Sequence, residues 1–281
     1  MLRKPPRDEK RTPEQLHQHY KVERELAARL RRAPADERVG LYPVLYDELY
    51  RRVPLHPRLT RKTDPLLAKG FIDDSMALLG RFLKPDSIYL EIGAGDCGLT
   101  LYISGRVKQA YAVEVSKEAT KHIQPPSNMK LVISDGKTID VPPGTVTVAY
   151  SNQVMEHIHP DDALEQLKNI YRALAPGGLY ICTTPNRLSG PHDISQYFDE
   201  FATGMHMREY TCGELATLFR EVGFSGVQVY MGIKQKYGRY PLGAIIAAEM
   251  SVSTLPRFLR THLVTLPGIR NLLRVSLVGI K

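Results

Sequence analysis

The sequence predicts an α/β fold in which helices cover both faces of a doubly wound, largely parallel sheet. Strand-like and helix-like segments alternate through residues 85–231, one strand ends in a glycine-rich turn, and the ends of three successive strands carry acidic residues. Residues 1–84 are predicted to form a helical extension or lid, and residues 85–281 the α/β domain. A chain of 281 residues is long enough for one substantial core and such a lid.

The composition is that of an ordinary soluble protein, with 43% hydrophobic and 24% charged residues. Because no apolar run of about 18 residues is present, we expect no transmembrane helix. The charged N-terminal residues do not resemble a signal peptide, and three cysteines are too few for a disulfide framework. We therefore expect a cytoplasmic protein.

The net charge of +8 is unevenly distributed along the chain. Residues 1–84 carry a net charge of +7, residues 85–231 one of −6, and residues 232–281 one of +7. The basic ends are either solvated surface or a binding surface for an acidic partner, such as an anionic membrane, a phosphorylated substrate or nucleic acid. Since no aromatic–basic RNA-binding motif is present, nucleic acid is the least expected of these partners.

Helical periodicity predicts three helices in the N-terminal extension, over about residues 13–32, 35–52 and 65–83. Prolines separate the second helix from the third. Arg61 and Lys62 precede the third helix, where they form a surface turn or meet an anionic group.

The segment over residues 87–98 is the predicted centre of the sheet. Its apolar residues up to Ile92 form a buried strand, and Gly93 and Gly95 permit a tight turn and a close approach to a ligand. A helix follows, so that backbone N–H groups at its start face the ligand. Glu91 would weaken a pyrophosphate site, but it suits a ligand that carries an ammonium and a sulfonium.

Two further strands also end in acidic residues. The second predicted strand ends at Glu114, which lies 21 residues after Gly93, and a carboxylate there can accept hydrogen bonds from both hydroxyls of a ribose. The third strand is followed by Asp135. Four more strands are predicted over residues 145–150, 179–184, 226–231 and 273–280.

Residues 85–230 resemble the class I S-adenosylmethionine (SAM) methyltransferases, in particular their type 11 group. The resemblance rests on the glycine turn, on residues 151–157 (Ser-Asn-Gln-Val-Met-Glu-His) and on residues 172–178 (Arg-Ala-Leu-Ala-Pro-Gly-Gly). It implies a Rossmann-like, seven-stranded sheet whose last two strands form an antiparallel hairpin, with residues 232–271 inserted inside that hairpin. One departure is Cys97, which stands where the family often has its third glycine.

The resemblance also implies SAM as the cofactor and a SAM-dependent methyltransferase activity. In the family an acid after the third strand commonly holds the adenine amino group. The cofactor-binding residues predicted on this basis are Glu91, Gly93, Ala94, Gly95, Glu114, Val115, Asp135, Gly136 and Asn152.

The methyl acceptor is predicted to be a small molecule or a lipid- or glycan-linked group that is methylated at oxygen. A hydroxyl must lose its proton when it attacks, and His157, which follows the fourth strand, is the predicted base. The 26-residue loop over residues 185–210 is long for a compact domain and carries Tyr197 and His206, the predicted catalytic partners. The alternative is that these side chains only pack or lie at the surface.

A metal ion is the alternative to a protein base. Some family members bind a divalent ion through Glu-x-x-Glu-His and a distant histidine, and the corresponding residues here are Gln153, Glu156, His157 and His206. Because Gln153 replaces one carboxylate and so removes charge that a hard cation favours, no metal site is predicted.

Residues 232–271 combine apolar side chains with arginines, which fits a cap over the acceptor pocket or an amphipathic segment at an anionic membrane surface. The expected localisation is therefore cytoplasmic, with peripheral contact to a membrane if the amphipathic alternative holds. Sedimentation with anionic and neutral vesicles at low and high salt distinguishes the cap from the membrane-binding segment. A membrane-binding segment carries the protein down with anionic vesicles at low salt, whereas a cap alone leaves it in the supernatant.

Two other functions compete with methyl transfer. A Rossmann-type NAD oxidoreductase shares the glycine turn, but the acids at Glu91 and Asp135 argue against it. A non-catalytic SAM-binding module would keep the cofactor residues without any need for His157. Binding of SAM rather than NAD excludes the first alternative, and transfer of the methyl group excludes the second.

Overall fold

The computed structural model describes residues 9–60, 64–233, 235–256, 259–260, 263–264, 266 and 275–281. The described part of the N-terminal extension forms helices α1 (Pro13–Arg32), α2 (Ala35–Arg52), α3 (Pro57–Thr60) and α4 (Pro65–Leu79). The three predicted helices are therefore present, and the short α3 lies between the second and the third. Arg61 and Lys62, for which the sequence predicted a turn or an anion contact, lie outside the described residues.

One mixed sheet follows the extension. Its strands in the described residues are β1 (Ile88–Ile92), β2 (Gln109–Glu114), β3 (Met129–Ile133), β4 (Val146–Asn152), β5 (Leu174–Thr184), β6 (Gly226–Ile233), β7 (Lys236–Tyr240) and β8 (Val275–Ile280). They are arranged in the order β3-β2-β1-β4-β5-β8-β6-β7. The first five strands pair in parallel, whereas β8 is antiparallel to both β5 and β6. The doubly wound sheet with a closing hairpin is thus confirmed.

The predicted number of seven strands is wrong by one, because β7 adds an eighth at the edge of the sheet. It pairs antiparallel with β6, with Val229 opposite Tyr240, and it belongs to the segment that the sequence assigned to the insertion. Lys236, Gly238 and Arg239 give this segment a low strand propensity, so no strand was predicted there. Charged side chains on an edge strand also discourage pairing with another chain.

Helices cover both faces of the sheet, as expected for a doubly wound fold. They are α5 (Gly98–Ser104), α6 (Lys117–Thr120), α7 (Pro160–Ala173), α8 (Cys212–Val222) and α9 (Leu242–Ser253). His159 is the N-cap of α7, which starts at Pro160. Asp162, in the first turn of this helix, binds helix α2 through its side chain.

Helix α2 is fixed over the carboxyl ends of the strands by a buried ion pair. Arg38 donates two hydrogen bonds, of 2.7 and 2.9 Å, to the two carboxylate oxygens of Asp162. The hydroxyl of Tyr42 donates a third, of 2.9 Å, to the same carboxylate. Since Arg38 and Asp162 are only 4% and 2% exposed, removal of either partner would leave a buried charge uncompensated, at a cost of about 3–5 kcal/mol.

The described part of the insertion packs on α8 through helix α9. Glu249 of α9 is buried, and its carboxylate accepts hydrogen bonds from the backbone N–H groups of Cys212 and Gly213 at the start of α8, 2.7 and 3.1 Å long. The side-chain amide of Asn186 donates a further bond of 2.6 Å. A carboxylate at the start of a helix is also favoured by the helix dipole, so Glu249 anchors α9 to the domain.

Within the described ranges, no helix is both long enough and apolar enough to cross a membrane. Most of the insertion that follows α9, including the residues predicted to begin the last strand at 273, lies outside the described residues.

Candidate active site

The glycine turn after β1 has the conformation that the sequence predicts. Gly93 and Gly95 have φ angles of +70° and +58°, in the left-handed region that favours glycine. A Cβ atom on Gly93 would lie 2.4 Å from Cγ2 of Val154, so the close approach also requires glycine. Cys97, which departs from the family pattern, has a φ of +57° at the start of α5 and thus adopts a backbone conformation more typical of glycine.

Two adjoining cavities lie at the carboxyl ends of β1 to β4, and they collect eight of the nine predicted cofactor residues. The larger, here called the strand-end cavity, comprises about 760 Å³ of space outside the protein atoms, part of it open to solvent, and is lined by Gly93, Glu114, Val115 and Gly136. The smaller, the glycine-turn cavity, is lined by Glu91, Gly93, Ala94, Gly95 and Asn152. Asp135 is the predicted residue that lines neither of them.

The carboxylate of Glu114 connects the glycine turn to the end of β2. One oxygen accepts a 2.7 Å hydrogen bond from the backbone N–H of Gly95. The other accepts bonds of 2.9 and 3.0 Å from the N–H groups of Val115 and Ser116. Its side chain is 6% exposed and faces the strand-end cavity, where a carboxylate oxygen has lone pairs left for a ligand hydroxyl.

Glu91 is buried at the end of β1 and accepts a short hydrogen bond from the hydroxyl of Thr100. Burial raises the pKa of its carboxyl group to about 8. Such a group gains most from a cationic ligand, because a neighbouring positive charge stabilises the ionised carboxylate that burial disfavours. This environment agrees with the predicted contact to an ammonium.

The carboxylate of Asp135 is turned toward its own loop. It accepts hydrogen bonds from the backbone N–H groups of Lys137 and Thr138, of 2.8 and 2.7 Å, and from the Thr138 hydroxyl. At the same end of the strand-end cavity lies Gln166, whose side-chain N–H₂ group donates to the carbonyl of Gly136. Its amide oxygen has no hydrogen-bond partner among the described residues, so Gln166 offers an acceptor that the sequence did not indicate.

The roof of the strand-end cavity comes from helix α2, through Tyr42, Tyr46 and Tyr50. These tyrosines are four residues apart, which places them on one face of the helix, and this spacing is the signal that sequence reasoning missed. The Tyr42 ring covers Gly136, where a Cβ atom would approach a ring carbon to 2.7 Å. The Tyr46 hydroxyl is buried without a partner among the described residues, as is Oδ1 of Asn152. Buried polar atoms of this kind are expected to meet a ligand.

Arg58 of α3 is the second residue that the sequence did not single out. It donates a 3.1 Å hydrogen bond to the carbonyl oxygen of Gly93 and lines both of these cavities. Its side chain forms no salt bridge with any carboxylate in the described part of the chain. A cation in this position is suited to an anionic group of a ligand bound against the glycine turn.

A third cavity, here called the polar cavity, adjoins the strand-end cavity beneath α1 and α3. Five residues line both the polar cavity and the strand-end cavity, namely Glu23, His56, Arg58, Gln153 and His157. Among the side chains that line the polar cavity, Pro57, Leu67 and Ile194 are those without a hydrogen-bonding group. Gln153 has a φ of +59°, a strained conformation for a residue other than glycine, at the junction of the two cavities.

Two of the three predicted catalytic residues meet in the polar cavity. The rings of His157 and His206 lie edge to face, with 4.7 Å between their centroids. The third residue, Tyr197, lines the same cavity, but its hydroxyl donates a 3.4 Å hydrogen bond to Glu9.

The two histidines differ in charge. Nδ1 of His157 lies 3.0 Å from the carbonyl oxygen of Met205, which assigns the proton to Nδ1 and leaves Nε2 unprotonated. Desolvation and the nearby charge of His206 lower the pKa of His157 well below its usual value. Although burial opposes it, the hydrogen bond to Glu209, 2.7 Å long, raises the pKa of His206 to about 9. His157 is therefore a neutral base beside an imidazolium.

Glu156, His157 and His206 also bring three donor atoms within 4.8 Å of one another. Glu156 accepts a 2.8 Å hydrogen bond from Thr184 through one oxygen, and the other has no partner among the described residues. A metal ion there would have to displace a proton of His206, whose pKa the Glu209 carboxylate raises to about 9, and Gln153 supplies no carboxylate to favour the ion. We therefore keep the prediction of no metal.

A second group of three, His19, Glu23 and His56, has the composition of a metal site. The ring protons of its histidines, however, lie on the nitrogens that face Glu23 and not on the distal nitrogens. Nδ1 of His19 accepts from Arg11, and Nδ1 of His56 accepts from the backbone N–H of Arg58. The ring protons therefore lie on the Nε2 atoms, 2.7 and 3.6 Å from a Glu23 oxygen. Metal-bound histidines show the opposite arrangement, in which the distal nitrogen donates.

Comparison with known proteins identifies the family. Residues 65–229, more than half of the chain, match a family described as a methyltransferase domain. A probable S-adenosylmethionine-dependent methyltransferase from Mycolicibacterium smegmatis is 30% identical over 117 residues, which make up 40% of this chain and 43% of that protein. The match thus spans less than half the length of this relative.

Solved structures share the fold at low identity. Phosphoethanolamine N-methyltransferase 1 of Haemonchus contortus, solved with phosphoethanolamine and S-adenosylhomocysteine, is 13% identical, with a TM-score of 0.57 over 88% of this chain and 50% of that chain. A SAM-dependent methyltransferase of Thermotoga maritima, described as a possible histamine N-methyltransferase, is 16% identical, with a TM-score of 0.51 over 87% of this chain and 98% of that chain. The family match and the shared fold together show that this chain belongs to the methyltransferase domain family and has the class I fold of the SAM-dependent methyltransferases.

Proposed function

We propose that the chain transfers a methyl group from SAM to a hydroxyl oxygen of a polar small-molecule or lipid- or glycan-linked acceptor. The observation that supports this best is the position of His157, whose neutral imidazole faces both the strand-end cavity and the polar cavity. The attacking atom and the transferred methyl group must meet where these cavities join. A hydroxyl needs a base at that point, and an unprotonated Nε2 provides one.

The residues around the glycine turn fit SAM. SAM supplies an electrophilic methyl group on a sulfonium, so its methionine end carries both an ammonium and a carboxylate. Glu91 would bind the ammonium, Glu114 the ribose hydroxyls, and the unpartnered oxygen of Gln166 the amino group of the adenine. Asp135 remains a predicted adenine contact, although its carboxylate is engaged by its own loop.

The polar cavity favours an acceptor with several hydrogen-bonding groups. Its wall includes His19, His56, His192, Asp193 and Gln196, whose side chains can hydrogen-bond to such an acceptor. Closing SAM and such an acceptor under α2 excludes water, and this strengthens the electrostatic interactions at the reacting atoms.

Arg58 is expected to bind the carboxylate of SAM. Replacing it with methionine should weaken SAM binding by about tenfold, because a charge-assisted hydrogen bond is lost. Decarboxylated SAM should bind the wild-type protein about tenfold more weakly than SAM, but it should bind Arg58→Met and the wild type equally well. Calorimetric titration of both ligands into both proteins measures the four affinities.

Arg106→Met is the matched control, because Arg106 is an exposed arginine whose guanidinium lies over the Tyr102 ring, and this change should leave all affinities unaltered. If Arg58→Met discriminates between the two ligands as strongly as the wild type does, Arg58 does not bind the carboxylate.

The proposed function is tested by transfer of labelled methyl from SAM into a cell extract, followed by separation of the products. We expect label on oxygen in water-soluble or glycan-bearing molecules. Label on nitrogen would contradict the choice of acceptor atom. Binding of SAM with no transfer to any fraction would favour a non-catalytic SAM-binding module.

A further inference from the structure

We infer that helix α1 of the N-terminal extension positions the imidazole of His157, through Glu23, Arg31 and the loop backbone over residues 203–206. This inference rests on the proposed function, in which Nε2 of His157 is the base. Neither α1 residue is needed as a base or as a ligand of SAM. Both are positioning residues, because they act on His157 through the backbone of the loop.

Arg31 binds this loop segment by its carbonyl groups. Its guanidinium donates three hydrogen bonds, each 3.1 Å long, to the carbonyl oxygens of Thr203, Gly204 and His206. Three carbonyls on one planar guanidinium fix both the position and the direction of the backbone between them. Arg31 does not bind the carbonyl group of Met205, the remaining residue of the segment. Glu23 binds the N–H group of Met205 instead.

Glu23 binds the loop by its N–H group. One carboxylate oxygen accepts a 3.0 Å hydrogen bond from the backbone N–H of Met205. The other accepts a 2.7 Å hydrogen bond from Nε2 of His19. Glu23 is 4% exposed, and the hydrogen bond from His19 together with the nearby ring of His56 lowers its pKa well below the usual value despite its burial. Gly204 permits this contact, since a Cβ atom there would lie 2.4 Å from the Glu23 oxygen.

Met205 transmits the contact to His157. The N–H of Met205 donates to Glu23, while its carbonyl oxygen accepts the Nδ1 proton of His157 at 3.0 Å. That second bond decides which ring nitrogen of His157 carries the proton and which nitrogen is available as a base. If the loop moves away, the Nδ1 proton loses its acceptor and both tautomers become accessible.

The apolar part of α1 reinforces this arrangement on the same loop. Leu16 and Tyr20 pack against Ile194 and Tyr197, and the Tyr20 ring stacks on Phe198 with 4.2 Å between centroids. A purely structural role of α1 would therefore also predict a loss of stability when Glu23 is replaced. The decisive measurement must report on the His157 ring itself.

Nitrogen-15 NMR of the histidine side chains, in the full chain with S-adenosylhomocysteine bound, measures which ring nitrogen of His157 carries the proton. In the wild type we expect His157 as the single Nδ1–H tautomer. In Glu23→Ala we expect a mixture of both tautomers. In Glu23→Gln the amide oxygen can accept from Met205 but the N–H₂ group meets the Nε2 proton of His19, so we expect a smaller share of the second tautomer than in Glu23→Ala. Glu25→Ala is the matched control on the same helix, because Glu25 is exposed and paired with Arg52.

Arg31→Met provides a second test at an exposed position, where folding is not at risk. We expect the amide hydrogens of Met205 and His206 to exchange about tenfold faster or more, because the loop opens locally. Arg29→Met is its control, since Arg29 is exposed and binds Glu48 rather than the loop.

If His157 keeps one tautomer in Glu23→Ala and amide exchange is unchanged in Arg31→Met, the inference is overturned. If Glu23→Ala does not fold, the exchange rates in Arg31→Met decide the question. Neither readout depends on methyl transfer. Failure of the proposed function would appear separately, as a wild-type protein that binds no S-adenosylhomocysteine.

Discussion

Replacing His157 with alanine is expected to lower the rate of methyl transfer by about 10²–10⁴-fold, the usual contribution of a positioned general base. The physical reason is that Nε2 of His157 is unprotonated and that His157 lines both the strand-end cavity and the polar cavity. SAM affinity should stay close to that of the wild type, because the predicted cofactor contacts come from other residues. The measurement is turnover with the acceptor identified by labelling, together with calorimetry of SAM binding.

The pH profile provides an independent check on the same residue. A base works only when it is unprotonated, so activity is lost as the pH falls through its pKa. Because the pKa of His157 is lowered well below 6.5, the wild-type rate should hold to below pH 6.5 before it falls. His122→Ala, at an exposed histidine, is the control and should leave rate and profile unchanged. A His157→Ala protein that turns over at nearly the wild-type rate would reduce His157 to a packing residue.

Replacing Glu114 with alanine is expected to weaken SAM binding by roughly tenfold to a hundredfold, since a charge-assisted hydrogen bond of about 1.5–3 kcal/mol is lost. The change has two causes in this structure. The ribose loses its acceptor, and the backbone N–H groups of Gly95, Val115 and Ser116 lose the carboxylate that orders the turn. Calorimetric titration with SAM measures the combined effect.

Two further variants separate these causes. Glu114→Gln keeps one oxygen for the backbone and should recover part of the affinity. Glu118→Ala, on the next helix, removes a carboxylate that binds Lys121 and should have no effect on SAM binding. Unchanged SAM affinity in a folded Glu114→Ala protein would rule out the ribose assignment.

The features that were predicted from the sequence are those encoded by local pattern. The alternation of strands and helices predicts the sheet, and the glycines that follow β1 predict a turn whose φ angles are positive in the structure. Because the carboxyl ends of parallel strands meet at one edge, residues at the ends of separate strands, such as Glu91, Glu114 and Asn152, come together around adjoining cavities.

The features that were missed depend on contacts between distant segments. Arg58 reaches the glycine turn because α3 is folded back onto it, and Gln166 faces the strand-end cavity from α7, far along the chain. Neither residue stands in a motif. The roof of the strand-end cavity could have been predicted from the sequence, since Tyr42, Tyr46 and Tyr50 share one helical face. That spacing is, however, also typical of ordinary core packing.

Local hydrogen bonding explains why Asp135, a predicted cofactor residue, lines neither the strand-end cavity nor the glycine-turn cavity. An aspartate directly after a strand can bind a ligand or the backbone of its own turn, and both uses occur with the same sequence pattern. In this structure Asp135 binds Lys137 and Thr138, and Gln166 presents the unpartnered acceptor.

Calorimetric titration of the wild-type protein with SAM and with NAD shows whether the strand-end and glycine-turn cavities form a SAM site. We expect saturable SAM binding at one site per chain, weakened in Glu114→Ala and in Arg58→Met, and no binding of NAD. Saturable NAD binding without SAM binding, or SAM binding that neither variant weakens, would contradict this expectation.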